Sequence, residues 1–341
     1  MKKAAPDDET RARLVRAFDH FIEVDEMTNA EIVGRARSLD IDIAVDLGGH
    51  TTGSRTAVFR DRVAPVQVNY LGYPGTMGAD FIDYIVADET TIPGPSRRHY
   101  AERVVCMPEC FQPSDTTRLA PEAPVPRSSY GLPDEGFVFC CFNNTYKINP
   151  DVFAGWMRIL GRVEGSCLWL LANGERVQVN LRREAERAGV APERLVFAGR
   201  VPLQEYLGRY RHAGLFLDTL PFNAGTTASD ALFAGLPVLT RTGDAFAGRM
   251  ASSLLKALDL PELVAGTQDE YEATAVRLAQ DPDELARIRA RLVSNRGAGP
   301  LFDMPRYTRH LETAYREMHR RWLAGLPPDH IHVSPTARQQ G

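Results

Sequence analysis

The pattern of hydrophobic and polar positions predicts two regions in which strands and helices alternate. In the first, Thr28 and Glu31 form a T-x-x-E capping box at the start of a helix that runs towards Ser38. Short apolar runs bounded by Gly, Pro and polar residues, a pattern typical of strands, then follow at 41–47, 66–71, 81–87 and 103–107. The first region is therefore mixed α/β.

The second region alternates more regularly. Strands are predicted at 137–142, 167–171, 195–198, 215–218 and 237–240. Helices are predicted between and after them at 150–162, 175–188, 203–212, 226–234 and 245–258. Strands separated by helices of this length need right-handed crossovers, so the region is expected to be a doubly wound parallel sheet. Helices at 269–280, 283–292 and 304–322 follow, and the tail after Pro328 is expected to be frayed.

A proline-rich stretch separates the two regions. Five prolines fall between positions 113 and 133, where apolar periodicity is weak, as in an extended connector. A length of 341 residues also favours two domains. The predicted bounds are a first lobe at 1–112, a linker at 113–135, a second lobe at 136–300, a C-terminal helix at 301–326 and a tail at 327–341.

Composition and charge narrow the range of functions. Hydrophobic residues make up 44% of the chain and charged residues 25%, which is ordinary for a folded globular protein. The net charge of −4 argues against a basic nucleic-acid surface. The N-terminus runs into acidic residues where a signal peptide would have its apolar stretch, and no apolar run is long enough for a membrane span. The five cysteines have no C-x-x-C spacing, which is typical of reduced core thiols. We expect a cytoplasmic protein without nucleic-acid or membrane partners.

Ligands of open parallel sheets bind at the carboxyl ends of strands, so the loops after the strands carry the candidate chemistry. The loop 219–225 leads into a helix that starts with Thr226 and Thr227. Free N–H groups at a helix start favour an anion, so the loop could be a phosphate cradle. Thr226 could equally be a simple helix cap, and the loop alone does not decide between the two.

A second loop on the same strand edge favours the cradle. Strand 137–142 is followed by two amides, Asn143 and Asn144, and by Lys147. A lysine is well suited to phosphate oxygens, although most loop lysines are merely solvated. Two loops suited to an anion at one edge are stronger evidence than either alone, and the sequence predicts a phosphate site there.

One histidine is placed where it could act on a substrate. His50 follows two glycines at the end of strand 41–47, so it could face a cleft and act as a general base. On its position alone, a surface histidine in a flexible turn is the favoured interpretation. Among known catalytic signatures, the sequence lacks the phosphate-loop, dinucleotide, nucleophile-elbow and H-E-x-x-H patterns.

Three long motifs resemble one family. They are APVQVNYLGYPGT at 64–76, FNNTYKI at 142–148, and LDT with the later Asn, Thr-Thr and Asp at 217–230. These resemble the catalytic region of O-linked N-acetylglucosamine (O-GlcNAc) transferases, glycosyltransferase family 41. The segments 246–255, 300–302 and 328–330 are similar too, so the resemblance covers nearly all of the chain from about residue 30.

The resemblance implies a glycosyltransferase-B fold of two Rossmann-like lobes, with UDP-GlcNAc held mainly by the second lobe. It also implies transfer of GlcNAc to a protein or peptide Ser or Thr hydroxyl with inversion, without metal or cofactor. Lys147 matches the lysine that contacts the diphosphate, and Asn144 stands where a glutamine near the nucleotide sugar is common. Thr226 and Thr227 match the phosphate-binding pair, and Asp230 matches the acid that holds the ribose.

The remaining matched positions are less uniform. His50 is similar to the first-lobe active-site histidine, a candidate base. Gly225 replaces the histidine that usually precedes the two threonines, and Gln204 and Leu207 stand where many members have lysine and histidine beside the uridine. Family members also begin with tetratricopeptide repeats and an opening strand and helix, so the first lobe is expected to be incomplete. Three hypotheses stay open: an active transferase, an impaired UDP-sugar-binding remnant, and a related transferase or epimerase.

Overall fold

The computed structural model describes residues 9–117, 125–172 and 174–335. Contacts within the chain divide them into two compact units. The first comprises 9–86, 95–106 and 313–332, and the second comprises 87–94, the described part of 107–312, and 333–335. Three parts of the predicted segments lie outside the described residues: the first eight residues of the first lobe, 118–124 of the linker and 336–341 of the tail.

The first unit is built on a small sheet with helices. Its helices are α1 (Glu9–Ala17), α2 (Asn29–Ser38) and α3 (Ala57–Arg60). Its strands are β1 (Ile43–Asp46), β2 (Val66–Asn69), β3 (Tyr84–Asp88), β4 (Arg103–Met107) and β11 (Ile331–His332), in the order β1-β2-β3-β4-β11. The pairs β1 with β2, β2 with β3, and β4 with β11 are parallel. The four predicted strands are therefore present, whereas α1, α3 and β11 were not predicted.

Two local predictions in this unit can be checked directly. The Thr28 capping box is confirmed, since the Thr28 hydroxyl accepts from the Glu31 N–H and the Glu31 carboxylate accepts from the Thr28 N–H. The frayed tail is wrong over 331–332, because Ile331 pairs with Val105 as strand β11 and its side chain is buried. Burial of one large apolar side chain helps to hold this short edge strand.

The second unit contains a six-stranded sheet. Its strands are β5 (Val138–Cys141), β6 (Cys167–Leu171), β7 (Leu195–Ala198), β8 (Leu215–Leu217), β9 (Val238–Arg241) and β10 (Val264–Ala265). Its helices are α4 (Pro150–Arg162), α5 (Glu175–Arg187), α6 (Leu203–Arg209), α7 (Thr226–Phe233), α8 (Met250–Ala257), α9 (Gln268–Gln280) and α10 (Pro282–Ala298), while α11 (Met304–Leu323) contributes residues to both units. The strand order is β10-β9-β8-β5-β6-β7, and every adjacent pair is parallel. The predicted parallel α/β sheet is confirmed.

The strand order creates a switch point between β5 and β8. From β5 the chain builds outward to β6 and β7, then returns to place β8 on the other side of β5. Because the connections leave these two neighbours in opposite directions, a crevice opens beyond their carboxyl ends, where open α/β sheets bind ligands. The two loops predicted to bind phosphate are the ones that leave this edge.

Several element bounds differ from the prediction. The helix predicted at 245–258 is a short 3₁₀ turn, Phe246–Gly248, followed by α8, and the helix predicted at 203–212 ends as the 3₁₀ turn Tyr210–His212. All five cysteines are buried and unpaired with one another, as predicted. Among the described residues, no helix combines the length and apolar character that crossing a bilayer requires. The consecutive domain bounds remain a prediction, since the contact-based units are discontinuous.

We expect Gly72→Ala to destabilise the protein by about 2–4 kcal/mol, because a Cβ at this position would lie 1.9 Å from the Leu47 carbonyl oxygen. Urea unfolding measures the effect. Gly34→Ala is the matched control: the glycine lies within α2 with open space around the added carbon, so a gain of about 0.5–1 kcal/mol is expected. A Gly72→Ala protein as stable as the wild type would contradict the close approach.

Candidate functional site

Lys147 lies in the loop that leaves β5, at the switch-point edge of the second unit. The loop forms a 3₁₀ turn, Thr145–Lys147, and the Lys147 Nζ donates to the main-chain oxygen of Asn223 at 2.8 Å. The same ammonium lies 3.8 Å from the ring centroid of Phe222, a cation–π contact. Both partners belong to the loop after β8, so the structure brings together the two loops that the sequence singled out.

A second contact fixes the two loops to each other. The Asn149 side chain caps α4 by accepting from the Val152 N–H at 2.9 Å, while its Nδ2 donates to the Leu220 carbonyl at 2.8 Å. The start of α4 is thereby attached to the loop after β8. Lys147, two residues before this anchor, has little freedom to leave the crevice by loop motion alone.

Burial and charge act in opposite directions on Lys147. Burial lowers the pKa of its ammonium group, and the negative charge of Asp218 acts to raise it. Asp218 directly follows β8 and is itself buried; burial raises the pKa of its carboxyl to about 6, against hydrogen bonds from Thr240, Ala224 and Thr219 that lower it. The crevice therefore contains a partly desolvated cation with a buried carboxyl nearby, an environment typical of functional sites.

Helix α7 begins at the same edge without a side-chain cap. Gly225 is the N-cap residue and makes no side-chain hydrogen bond, and the first intrahelical bond runs from the Ser229 N–H to the Gly225 carbonyl. The alternative in which Thr226 caps the helix is therefore wrong, because Thr226 is the first helical residue. The N–H groups of the first turn lack intrahelical acceptors and can bind an anion, and the Thr226 side chain is exposed beside them.

Asp230 lies one turn further along α7 and is only 5% exposed. Its charge acts on Tyr206 and Tyr210, whose pKa values are raised mainly by burial. The Tyr210 hydroxyl donates to the Thr227 carbonyl at 3.4 Å and contacts the Tyr206 hydroxyl at 2.6 Å. These tyrosines attach α6 and the turn after it to the start of α7.

The other predicted positions differ in exposure. Asn144 and Gln204 are exposed, Asn144 directly before the Thr145–Lys147 turn and Gln204 in α6. Leu207 is buried in the same helix and faces the interior. Gly225 borders the Gln112 side chain: a Cβ at 225 would lie 3.3 Å from the Gln112 Oε1.

Arg209 was not predicted from the sequence. It is 2% exposed, and its guanidinium lies 3.9 Å from the Phe142 ring centroid and 4.8 Å from that of Tyr206. Its Nη1 donates to the Gly199 carbonyl, whereas its Nε has no partner among the described residues. Arginine is common in amphipathic helices, so only its complete burial, which a sequence does not reveal, distinguishes it.

A cavity of about 260 Å³ lies beside Arg209, at the carboxyl end of β7. It is lined by Tyr130, Trp169, Phe197, Ala198, Gly199, Val201, Glu205 and Arg209, among others. Aromatic walls with one buried cation could hold a flat ring with hydrogen-bonding edges. The cavity is adjacent to α6, the helix that carries Gln204.

His50 belongs to the first unit. It follows the tight turn after β1, in which Asp46 accepts from the N–H groups of Gly48 and Gly49 at 2.8 and 3.0 Å. Gly49 has a φ of +56°, and a Cβ there would lie 2.5 Å from that of Tyr73, so glycine is required. The side chain of His50 is exposed, with its ring edge-on to Tyr73 at 5.1 Å.

One ring nitrogen of His50 is fixed by the loop 73–78. The Nε2 lies 3.1 Å from the Met77 carbonyl. That loop is held in turn by buried Glu102, whose carboxylate accepts from the Met77 N–H and the Thr76 hydroxyl, both at 2.6 Å. A carbonyl oxygen can only accept a hydrogen bond, so the nitrogen that donates to it, Nε2, carries the proton of the neutral ring. Nδ1 is then the nitrogen with a lone pair that can take up a proton.

These features define the class of protein. A glycosyltransferase of the B-type fold has two units with parallel sheets and a cationic crevice at a switch point, as this chain does. Solved structures agree: an O-GlcNAc transferase mutant from Thermobaculum terrenum matches with a TM-score of 0.87 at 35% identity, covering 93% of this chain and 60% of that one. Sucrose-phosphate synthase from Thermosynechococcus elongatus, at a TM-score of 0.55 and 13% identity over 76% of this chain and 70% of that one, shares the fold alone.

The chain belongs to glycosyltransferase family 41, whose model matches residues 3–123 and 120–311. Among curated relatives, the probable UDP-N-acetylglucosamine–peptide N-acetylglucosaminyltransferase SEC of Arabidopsis thaliana is 35% identical, over 95% of this chain and 34% of that protein. The UDP-N-acetylglucosamine–peptide N-acetylglucosaminyltransferase of Caenorhabditis elegans is 28% identical, over 94% and 38%. The chain spans about a third of the length of these relatives.

We expect His50 to be the Nε2–H tautomer when neutral, because the Met77 carbonyl selects a donor at Nε2. Long-range ¹⁵N–¹H NMR of the imidazole ring measures the tautomer, and a His50→Gln sample identifies the signal. A spectrum in which His50 carries its proton on Nδ1 would contradict the contact with Met77.

Proposed function

We propose that this chain transfers GlcNAc from UDP-GlcNAc to Ser or Thr hydroxyls of proteins, with inversion at the anomeric carbon and without a metal ion. The observation that carries the proposal is the contact of the Lys147 ammonium, at the switch point, with the loop that leads into the uncapped start of α7. The names of the curated relatives supply the donor and the acceptor class.

The crevice suits a diphosphate leaving group. In a single displacement, the acceptor oxygen forms a bond to the anomeric carbon while the bond from that carbon to the diphosphate oxygen breaks. UDP departs with the electron pair, and its growing negative charge needs preorganised positive groups. Lys147 and the free N–H groups of α7 are such groups, and we therefore assign them the role that a divalent cation has in other transferases.

Lys147 can exchange its present partners for a diphosphate. Its ammonium is held by one carbonyl and one aromatic ring, which are neutral groups. A charged phosphate oxygen is a stronger acceptor than either. Donor binding then exchanges these two neutral partners of Lys147 for a phosphate oxygen.

The rest of UDP is assigned to neighbouring groups. We place the uracil ring in the cavity beside Arg209, whose Nε has no hydrogen-bond partner in the part of the chain that the structure describes, and the ribose near Asp230. Exposed Asn144 and Gln204 border the nucleotide sugar, and Thr227 shares the phosphates with Thr226. These positions follow the carboxyl ends of β5, β7 and β8.

His50 is the candidate for the acceptor-side proton. Its exposed ring has one nitrogen committed to the Met77 carbonyl, which leaves Nδ1 to take the proton of the attacking hydroxyl. The buried Glu102 supports this through the loop that it holds.

A transfer assay tests the function as a whole. The chain is incubated with UDP-GlcNAc and a pool of Ser- and Thr-containing peptides, and both UDP release and glycopeptide mass are measured. We expect product with inverted configuration, and an unchanged rate after addition of excess EDTA, because Lys147 and α7 supply the positive charge. Loss of activity on chelation, restored by a divalent ion, would contradict metal independence.

A second candidate function is binding of UDP-sugar without transfer. The observation that favours it is the absence of side-chain donors at Gly225 and of a cation at Leu207, which is buried. Titration calorimetry with UDP-GlcNAc separates the two: binding without product in the transfer assay would support this candidate and reject the first. Altered free sugar nucleotide without peptide product would instead indicate a related transferase or epimerase.

We expect Lys147→Ala to lower turnover by about 100- to 1,000-fold with little loss of stability, because one preorganised donor to the leaving group is removed. Steady-state kinetics and thermal unfolding measure the two effects. Lys256→Ala, which removes an exposed lysine at the end of α8, is the matched control and keeps wild-type turnover. Near-normal turnover of Lys147→Ala would reject the assignment.

A further inference from the structure

Asp218 directly follows β8 and precedes loop 219–224. Its carboxylate is buried and accepts several hydrogen bonds. Oδ1 accepts from the N–H groups of Thr219 and Ala224 at 2.8 and 2.7 Å, and Oδ2 accepts from the Thr240 hydroxyl at 2.7 Å. Because Thr219 and Ala224 are the two ends of the loop, one carboxylate oxygen closes the loop on itself.

Three further bonds complete the closed loop. Asn143, from the loop after β5, donates to the Thr219 hydroxyl at 2.9 Å, and that hydroxyl donates to the Phe222 carbonyl at 2.7 Å. The side chain of Asn223 donates to the Thr219 carbonyl, also at 2.7 Å. The Asn223 carbonyl is thereby left pointing at Lys147, which donates to it.

We propose that Asp218 is a positioning residue for the leaving-group site: its carboxylate fixes loop 219–224, and through the Asn223 carbonyl it orients the Lys147 ammonium. The inference rests on the proposed function, because it assigns Lys147 to the diphosphate. This role needs no contact of Asp218 with the substrate, because Asp218 acts through the loop that it closes and through its charge.

Several titratable or charged groups face the carboxylate of Asp218. Of the groups that face it, Cys141 in β5 and Tyr271 in α9 are buried, and burial raises both pKa values, so they are neutral near pH 7. The Tyr271 hydroxyl donates to the Asp218 carbonyl oxygen. Arg241 in β9, a second cation, lines the same small cavity and donates to the neutral side chain of Gln268. Lys147 is the cation whose charge acts on the Asp218 carboxyl and lowers its pKa.

Asp218→Asn separates charge from shape. The new amide can donate to the Thr240 hydroxyl, while its oxygen still accepts from Thr219 and Ala224, so the shape of the loop is kept and the charge is lost. Asp218→Ala removes both. Loss of the charge alone also loosens the loop, because a neutral amide oxygen accepts hydrogen bonds more weakly than a carboxylate does, and the Asn223 carbonyl then orients Lys147 less firmly. We expect roughly 10-fold weaker binding of UDP-GlcNAc for Asp218→Asn and about a 100-fold lower kcat/KM for Asp218→Ala. Asp283→Asn, at the exposed start of α10, is the matched control and changes neither.

A double-mutant cycle distinguishes positioning from general stability. In a Lys147→Met background, Asp218→Asn is expected to weaken UDP-GlcNAc binding little further, because the ammonium on which it acts is gone. An equal loss in both backgrounds would overturn the proposal. The Asn variant keeps the test decisive if Asp218→Ala does not fold.

The pH dependence gives a second readout. The carboxyl, with its pKa raised to about 6 by burial, is protonated as the pH falls through 6, and the wild type is then expected to bind UDP-GlcNAc more weakly at pH 5 than at pH 7. Asp218→Asn has no such carboxyl and loses less affinity over the same range. UDP-GlcNAc is used rather than UDP because it has no terminal phosphate that titrates near 6. Identical profiles for the two proteins would overturn the proposal.

A measurement without ligand separates this inference from the proposed function. The chain has four lysines, Lys2, Lys3, Lys147 and Lys256, so their ¹³Cε NMR signals can be resolved and titrated. We expect Asp218→Asn to lower the pKa of Lys147 and leave Lys256 unchanged. If that shift appears but wild type does not bind UDP-GlcNAc, the proposed function fails and the coupling stands. If wild type binds and Lys147 does not shift, the inference fails alone.

Discussion

The second unit's crevice depends on one interaction, the coupling of the Lys147 ammonium group to the buried carboxyl of Asp218. The ammonium group is itself partly removed from water. Burial of either charge alone is costly, and each offsets part of the other's desolvation. The hydrogen bonds to Asp218 also close loop 219–224, so one carboxylate determines both the shape of the loop and the charge balance. A loop held in this way leaves the first turn of α7 open towards the same crevice.

The sheet order explains why these groups meet. Among the described strands of the second unit, the connections diverge only at the boundary between β5 and β8, so the loops after these two strands are neighbours without covering the crevice. In the first unit's sheet, each described strand is added on the same side of the one before it, in the order β1-β2-β3-β4-β11. These strands therefore show no such reversal. His50 depends there on a different device, a glycine turn and a carbonyl that selects its ring tautomer.

Sequence patterns predicted the second unit well because buried parallel strands are short continuous apolar runs with clear ends. Strands β6 and β7 and helix α4 have the predicted bounds. The proximity of Lys147 to the loop before Thr226 was predicted because the loops at the carboxyl ends of parallel strands lie at one edge of the sheet. This prediction needs no knowledge of the strand order. Strand β11 was missed because a strand of two residues is too short to show an alternation of apolar and polar positions, and because its partner β4 lies more than 200 positions away in the sequence.

The roles of Asp218 and Arg209 were missed for a different reason. Asp218 reads as the polar end of a strand, and Arg209 as one basic residue of an amphipathic helix. Their importance comes from burial and from partners in other elements, such as Thr240 for Asp218 and the Phe142 ring for Arg209. Local patterns contain no information on such contacts, which form only when the chain is folded.

Two of the three departures from the family pattern, at Leu207 and Gly225, have structural explanations that leave the cationic crevice intact. Leu207 packs inside the second unit, so its apolar side chain suits its position, and a charged side chain there would be buried without a partner. At Gly225, the Gln112 amide and the Met250 sulfur lie 3.3 and 3.5 Å from where a Cβ would be, so neighbouring side chains occupy part of the space that a larger residue would need. Neither change touches Lys147 or the N–H groups of α7. The positive charge available to a diphosphate is therefore independent of both substitutions.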